Sequence, residues 1–278
     1  MQQQLGVSER RACKALDQPR STQRYKVTDQ ETEKALIRKM LELARQHPRY
    51  GYRRITALLR QEGWPVNRKR VQRLWREQGL KVPQKQSKRR RLGSHDQGSQ
   101  RKRAEQINQV WSYDFVMDQT EDGRRLKMLP IVDEYTRECL EIEVSRSLTA
   151  EDVVAVLGRL FVERGEPEYI RSDNGPEFIA EVVKQWLQKS AVKTLYIEPG
   201  SPWENAYSES FNSRFRDELL DRELFTSVLE AKVLVREYKQ EYNQQRPHSS
   251  LNYQTPTAFA ATVHQSEKAA MTKVTRLS

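Results

Sequence analysis

The stretch Ser172-Asp173-Asn174-Gly175-Pro176-Glu177-Phe178, with the segment that runs on to Phe211, decides the fold of this chain. Before it, Tyr169-Ile170-Arg171 is typical of the end of a short strand. Asn174-Gly175 indicates a turn, and Pro176 suits the first position of a following helix. Asp173 is therefore predicted at the C-terminal tip of a strand, where α/β folds commonly place reactive groups.

A second helix is predicted to begin near Glu204 and to carry Glu209. Tyr207, Phe211 and Phe215 recur every four residues and form one apolar stripe. At 100° per residue, Glu209 lies about 200° from Tyr207 and so faces away from that stripe. Its polar side is shared by three residues that we expect to contact DNA: Asn205, Asn212 and Arg216. A carboxylate on this face and another at a strand tip can converge on a divalent cation.

A third carboxylate lies upstream, within Trp111-Ser112-Tyr113-Asp114-Phe115-Val116-Met117. The aromatic and β-branched residues predict a strand over 111–117 with Asp114 in its middle. A charge inside a strand is costly unless something pairs with it, and a metal ion would do so. Asp118 and Asp133 are rivals for this position. Asp133 begins what looks like a hairpin connection, so we assign it a structural role.

These carboxylates and their surroundings resemble a known family. Asp114, Asp173 and Glu209, with 35 residues between the last two, look like the Asp-Asp-Glu triad of transposases and retroviral integrases. Longer motifs are similar to the OrfB catalytic subunit of the insertion sequence three family: DNGPEF at 173–178, PGSPWENAYSESFNSRFRDE at 199–218 and YNQQRPHSSLNYQTP at 242–256. Any one motif is weak, but together they are highly specific. The resemblance extends from about residue 7 to residue 259.

The pattern of predicted elements resembles the α/β fold of that family, a ribonuclease H-like integrase catalytic core preceded by a helical DNA-binding region. The core would have a mixed five-stranded sheet with flanking helices. Its strands are predicted near 111–117, 125–133, 138–145, 168–172 and 192–197. Asp122-Gly123 indicates a hairpin turn, and helices are predicted at 149–164 and 177–189.

Four regions are predicted along the chain, and the net charge of the N-terminal part differs from that of the rest. They are a helical DNA-binding region at 1–80 (helix-turn-helix at about 50–78), a basic linker at 81–104, the catalytic core with a C-terminal helix at 105–260, and a tail at 261–278. Residues 1–103 hold 28 Lys and Arg against 9 Asp and Glu, a net charge of +19. The remainder carries −8, completing the total of +11. This segregation favours a nucleic-acid-binding half over a generally basic surface.

Composition excludes several other classes of protein. No apolar run approaches the length of a membrane span, and no signal-peptide core is present at the N-terminus. Two cysteines, Cys13 and Cys139, lie far apart and suit reduced thiols in a bacterial cytoplasm, where we expect the protein to associate with the nucleoid. Four histidines are too few for the His and Cys zinc module that begins retroviral integrases.

The N-terminal region is predicted to be helical. Ser8 is a candidate cap for a short helix over 7–16, a linker is expected from Pro19 to Lys26, and Thr28 or Asp29 is a candidate cap for a helix to about His47. Asn67 can cap a third helix through Gln78. Its outward side chains are expected to contact DNA: Arg68, Lys69, Gln72, Arg73 and Arg76.

The role of this basic helix is left open by its own sequence. An ordinary solvated helix explains it equally well, and only the family resemblance favours a major-groove role. Arg246 is a further candidate for a DNA phosphate contact, although a capping or structural role suits it at least as well.

The resemblance implies metal-dependent phosphoryl transfer on DNA without a covalent protein intermediate. Two divalent ions, Mg²⁺ or alternatively Mn²⁺, would be held by Asp114, Asp173 and Glu209. The partners would be double-stranded DNA (element ends and target), further copies of the chain on DNA, and an upstream-frame OrfA product, which the family fuses to OrfB by ribosomal frameshifting. The alternative is a DNA-binding regulator of transposition whose carboxylates are not used. An RNA-cleaving enzyme of the same fold has no support in the N-terminal region.

Overall fold

A computed structural model of the chain describes residues 6–24, 30–82, 102–172, 181–196 and 205–275. The chain divides into two compact units, Met1–Val82 and Pro83–Ser278. Several predictions fall outside the described residues: Asp173, the candidate caps Thr28 and Asp29, and most of the basic linker predicted at 81–104.

The described part of the first unit is helical. Its helices are α1 (Glu9–Ala15), α2 (Arg20–Gln23), α3 (Gln30–Gln46), α4 (Tyr52–Gln61) and α5 (Arg68–Glu77). The Ser8 side chain accepts from the Arg11 backbone N–H, which confirms the predicted cap of α1. The prediction of a linker from Pro19 to Lys26 is wrong in part, because helix α2 forms within this range. Arg20 and Arg24, which begin and follow α2, both contact the Glu9 carboxylate, at 3.3 and 2.8 Å.

Helices α4 and α5 form the predicted helix-turn-helix pair. Between them Gly63 has a φ of 85°, a left-handed conformation that glycine adopts without strain. The Asn67 side chain accepts from the Lys69 N–H and caps α5 as predicted. The apolar faces of α3, α4 and α5 share one core, whose fully buried members include Leu36, Met40, Ile55, Leu59, Val71 and Leu74.

A mixed sheet forms the centre of the second unit. Its strands are β1 (Val110–Tyr113), β2 (Val116–Gln119), β3 (Arg125–Asp133), β4 (Cys139–Ser145), β5 (Tyr169–Ser172) and β6 (Lys193–Tyr196). Strands β1 and β2 pair successively with one side of β3, and β4 pairs with its other side. Strand β5 lies between β1 and β6 and is parallel to both. The sheet is therefore five positions wide, as predicted.

The strand predicted over 111–117 is interrupted at Asp114, which lies between β1 and β2 rather than inside one strand. The register with β3 is unchanged across the break, so Asp114 faces Pro130. The Glu134 N–H donates to the Val110 carbonyl at 2.9 Å, and donors alternate along an antiparallel ladder. Residue 130 would therefore donate to the Asp114 carbonyl, but proline has no N–H. The break follows from this missing donor.

Helices cover both faces of the sheet. They are α6 (Ala150–Arg164), α7 (Glu181–Lys189), α8 (Ala206–Phe215), α9 (Val228–Gln244) and α10 (Pro256–Thr275), and a π-helical turn, Arg216–Leu220, follows α8. Helices α6 and α7 pack on one face of the sheet through Leu157 and Leu187, whereas α8 and α9 pack on the other through Phe215 and Val235. A capping box of Thr149 and Asp152 begins α6.

The tail predicted over 261–278 is wrong for most of its length, because α10 continues to Thr275. The Thr255 hydroxyl accepts from the Ala258 N–H at 3.2 Å and caps the helix, and Pro256 occupies its first position. Alanines in the following turns have the highest helix propensity, so the helix continues. No helix in the described ranges is long and apolar enough to cross a membrane.

Candidate active site

Asp114 lies at the end of β1 on the face of the sheet that α8 covers. Side chains alternate along a strand, so Asp114 and Ser112 share this face while Trp111 and Tyr113 enter the core on the other. The Asp114 side chain is half-buried, and its Oδ2 accepts from Asn212 Nδ2 at 3.1 Å. Helix α8 is thus attached directly to the first candidate carboxylate.

Glu209 lies one helical turn before Asn212 on α8. Residues three apart lie on the same side of a helix, about 5–6 Å apart at Cβ. Glu209 is therefore next to the residue that contacts Asp114, and its own side chain is exposed. A half-buried carboxylate and an exposed one therefore lie on neighbouring elements, one at the end of β1 and the other on α8.

A polar seam lines the contact between α8 and β1. We define it as Ser112, Asn205, Ser208 and Asn212, which are buried or half-buried. Each has an oxygen atom that is buried and makes no hydrogen bond within the described part of the chain: Ser112 Oγ, Asn205 Oδ1, Ser208 Oγ and Asn212 Oδ1. Buried polar atoms normally have partners. The seam therefore has spare hydrogen-bonding and ligating capacity beside Asp114.

The third candidate carboxylate, Asp173, lies outside the described residues, one position after the end of β5. Of the predicted triad, the structure describes Asp114 and Glu209, whose elements are joined by the hydrogen bond from Asn212 to Asp114. Within the described ranges, no group of three or more His, Cys, Asp or Glu side chains is placed to hold a metal ion.

The rival carboxylates have other roles. Asp133 is buried, and its carboxylate accepts three backbone N–H groups at 2.8 Å, from Asn108, Tyr135 and Thr136. Burial raises the pKa of Asp133, and these hydrogen bonds oppose that rise. The structural role predicted for Asp133 fits these contacts. Asp118 accepts from the backbone N–H of the next residue in β2.

Arg246 is a structural residue, which corrects its assignment as a DNA contact. Its guanidinium donates from Nε and Nη2 to the Glu218 carboxylate at 2.6 and 2.7 Å. Arg246 is only 2% exposed, and the Glu218 side chain only 9%. A phosphate cannot reach a guanidinium that is buried against its carboxylate partner. Arg216 differs, because it is exposed and donates from Nη2 to the Met117 carbonyl at 2.9 Å.

The five candidate DNA contacts on α5 lie on its outer side. Arg68, Lys69, Arg73 and Arg76 are exposed, and Gln72 is half-buried. Arg73 is engaged by carboxylates, since its guanidinium is 2.7 Å from Glu33 and 3.8 Å from Glu77.

Sequence reasoning missed one buried ion pair close to the site. Arg171 on β5 donates from Nε to Glu134 Oε1 at 2.8 Å and from Nη2 to the Lys102 carbonyl at 2.7 Å. The Arg171 and Glu134 side chains are 5% and 0% exposed. An arginine within a short apolar strand was the available signal, because such a charge needs a buried partner.

Family models match both units. A model described as an HTH-like domain matches residues 30–90, and two described as integrase core domains match 104–202 and 190–256. Together with the mixed sheet and its helices on both faces, these matches confirm the ribonuclease H-like catalytic core and the helix-turn-helix region before it.

The chain is similar to proteins of bacterial insertion elements. It is 40% identical to the 31.7 kDa protein of insertion element IS407 from Burkholderia multivorans, covering 94% of this chain and 93% of that protein. It is 30% identical to the transposase InsD of insertion element IS2 from Escherichia coli, covering 76% and 73%. The catalytic core of HTLV-2 integrase, solved with magnesium, has a TM-score of 0.46 at 15% identity, covering 57% of this chain and 99% of that one. On the family models and the insertion-element relatives, this chain belongs to the insertion sequence three family of DNA transposases, as its OrfB catalytic subunit.

Proposed function

We propose that Asp114, Asp173 and Glu209 form the catalytic triad of this transposase and hold two divalent cations, Mg²⁺ with Mn²⁺ as a substitute. The chain would cut DNA at the ends of its insertion element and join them to target DNA. The observation that carries this proposal is the hydrogen bond from Asn212 to Asp114, which attaches the helix bearing Glu209 to the strand end bearing Asp114.

The residues present suit a hard divalent cation. Carboxylate oxygens are the ligands that Mg²⁺ prefers, and it keeps other positions for water and phosphate. Glu209 is exposed, which leaves room for both, and Asn212 Oδ1 is a further oxygen without a partner in the described part of the chain. When bound, such cations stabilise charge on the phosphodiester and make a water or a 3′-hydroxyl more acidic.

The side chains of the protein would orient the carboxylates and the DNA. Asn212 donates to one oxygen of Asp114, which fixes the direction of the other. Phe211 and Phe215 anchor α8 in the apolar core, so Glu209 is carried on a rigid element. Arg216 is exposed on the same side as Glu209 and is suited to contact a DNA phosphate. Asn205 and Asn212 were also expected to contact DNA, but Asn205 is only 6% exposed and Asn212 donates to Asp114, so both lie in the seam instead.

The first unit would recognise the element ends. Exposed Arg68, Lys69 and Arg76 on α5 are suited to guanine edges and phosphates, and Gln72 to adenine. The basic residues at 81–104 would lie along the backbone and strengthen binding without adding sequence preference.

We further propose that the active species contains at least two copies of this chain, because transposition holds two element ends together. An upstream-frame OrfA product, supplied as a separate chain or as a frameshift fusion, would provide the additional pairing. The protein would act on the bacterial chromosome, at the nucleoid.

The test is a strand-joining assay on duplexes that carry the element ends, with the OrfA product supplied. Asp114→Asn, Asp173→Asn and Glu209→Gln each preserve shape but remove one negative charge, and each should abolish cleavage and joining while sparing DNA binding. Asp118→Asn is the matched control, because it removes a carboxylate from the adjacent strand and should join normally. Joining by all three triad variants would favour the non-catalytic regulator instead.

A further inference from the structure

The first turns of α8 rest on polar atoms rather than on an apolar core. Asn205, at its N-cap position, makes no side-chain capping hydrogen bond, and the buried Ser208 hydroxyl has no partner within the described residues. By contrast, Phe211 and Phe215 are fully packed in the core. Glu209 lies between the polar start of α8 and these two phenylalanines, so its position depends on further contacts that hold the start of the helix.

Within the described residues, Arg137 and Tyr207 make one such contact. The Arg137 guanidinium carbon lies 3.8 Å from the centre of the Tyr207 ring, and both side chains are half-buried. A cation over an aromatic face is held more strongly where water is partly excluded. Tyr207 lies about 200° round the helix from Glu209, so Arg137 holds the opposite side of α8 and leaves the Glu209 face open.

Arg137 is itself fixed by the hairpin between β3 and β4. Its guanidinium donates to the Glu134 carbonyl, and its N–H donates to the Asp133 carbonyl at 3.0 Å. Its φ of 65° is left-handed, which is strained for a residue other than glycine and persists only where the surroundings enforce it. The Glu134 carboxylate pairs with Arg171, two residues before Asp173 in the sequence. One hairpin therefore contacts both the helix of Glu209 and the strand that leads to Asp173.

We propose that Arg137 and Tyr207 are positioning residues for strand joining, which hold the start of α8 so that Glu209 stays in place relative to Asp114. This inference rests on the proposed triad. Neither residue would contact DNA or a divalent metal ion. They would act through Glu209, because a displacement of about 1 Å at a catalytic group can cost about 100-fold in rate.

Two pairs of variants test this proposal. Tyr207→Leu removes the ring, whereas Tyr207→Phe keeps it. Arg137→Asn removes the cation but tolerates the left-handed backbone, whereas Arg137→Lys keeps the cation. We expect Tyr207→Leu and Arg137→Asn to lower the single-turnover joining rate by about 10–100-fold. They should also weaken Mn²⁺ binding several-fold, measured by electron paramagnetic resonance on the full chain with its DNA. DNA affinity should stay unchanged, Tyr207→Phe should behave like wild type, and Arg137→Lys should lose less of the joining rate than Arg137→Asn.

Two results would overturn the proposal. One is wild-type joining by Tyr207→Leu and Arg137→Asn. The other is a rate loss that follows a lowered melting temperature while Mn²⁺ affinity is unchanged, since that pattern indicates a merely structural contact. Asp114→Asn and Glu209→Gln separate this failure from failure of the triad. If these two also bind Mn²⁺ and join normally, the proposed function itself is wrong.

Discussion

The buried ion pair between Arg246 and Glu218 gives a quantitative prediction for Arg246→Ala. Truncating the arginine leaves the Glu218 carboxylate buried without its bidentate partner, and Glu218 is only 9% exposed. Removing one member of such a pair costs about 3–5 kcal/mol. For a unit of this size, about 2–4 °C is lost per kcal/mol. We therefore expect the melting temperature of the second unit to fall by about 6–20 °C.

Thermal unfolding followed by circular dichroism measures this change. The double variant Arg246→Met, Glu218→Leu should recover most of the loss, because no charge is then left buried. Arg216→Ala is the matched control, since it removes an exposed guanidinium from the neighbouring turn and should cost about 0.5 kcal/mol or less. DNA binding is measured below the transition. If Arg246→Ala unfolds like wild type but binds DNA more weakly, the guanidinium faces DNA and the structural assignment is refuted.

Two further predictions concern DNA binding and pH. Replacing Arg68, Lys69 and Arg76 together by Ala should reduce the slope of log affinity against log salt by about 2–3, because each phosphate contact contributes about 0.9. Arg73→Ala should reduce this slope less than one phosphate contact would, since Arg73 already contacts Glu33 at 2.7 Å. An unchanged slope for the triple variant would show that α5 does not contact DNA. Burial raises the pKa of Tyr242 to about 12, against about 10 in an unfolded chain. Above pH 10 the unfolded state therefore releases a proton that the folded state keeps, so stability falls with rising pH by about 1.4 kcal/mol per pH unit up to pH 12. Tyr242→Phe should show a shallower loss in denaturant titrations between pH 9 and pH 11, and an identical loss would contradict this account.

Elements set by local chemistry were predictable from the sequence. Ser8 and Asn67 were identified as helix caps, and both side chains accept a backbone N–H near the start of their helices. The order of strands and helices in the core was also predictable, since the hydrophobic periodicity that distinguishes them depends only on nearby residues.

Features that depend on distant residues were not predictable in this way. The break at Asp114 follows from Pro130 on the facing strand, and its effect depends on a register that the sequence does not specify. The burial of Arg246 depends on Glu218, 28 positions away. The contact of Arg137 with Tyr207 joins a hairpin to a helix 70 positions later, and neither residue has an unusual local context. For the site itself, the sequence indicated three carboxylates by resemblance, and Asp114, Asp173 and Glu209 all stay predictions as metal ligands.

The most direct test of the central claim, that these carboxylates hold the catalytic cations, is the metal dependence of joining by Asp114→Cys. A thiolate is a softer ligand that suits Mg²⁺ poorly and accepts softer metals such as Mn²⁺ better. With element-end duplexes and the OrfA product supplied, the variant should be inactive in Mg²⁺ and regain part of its joining in Mn²⁺. Wild-type protein should join in both. Joining by Asp114→Cys in Mg²⁺ at the wild-type rate would show that Asp114 holds no catalytic cation.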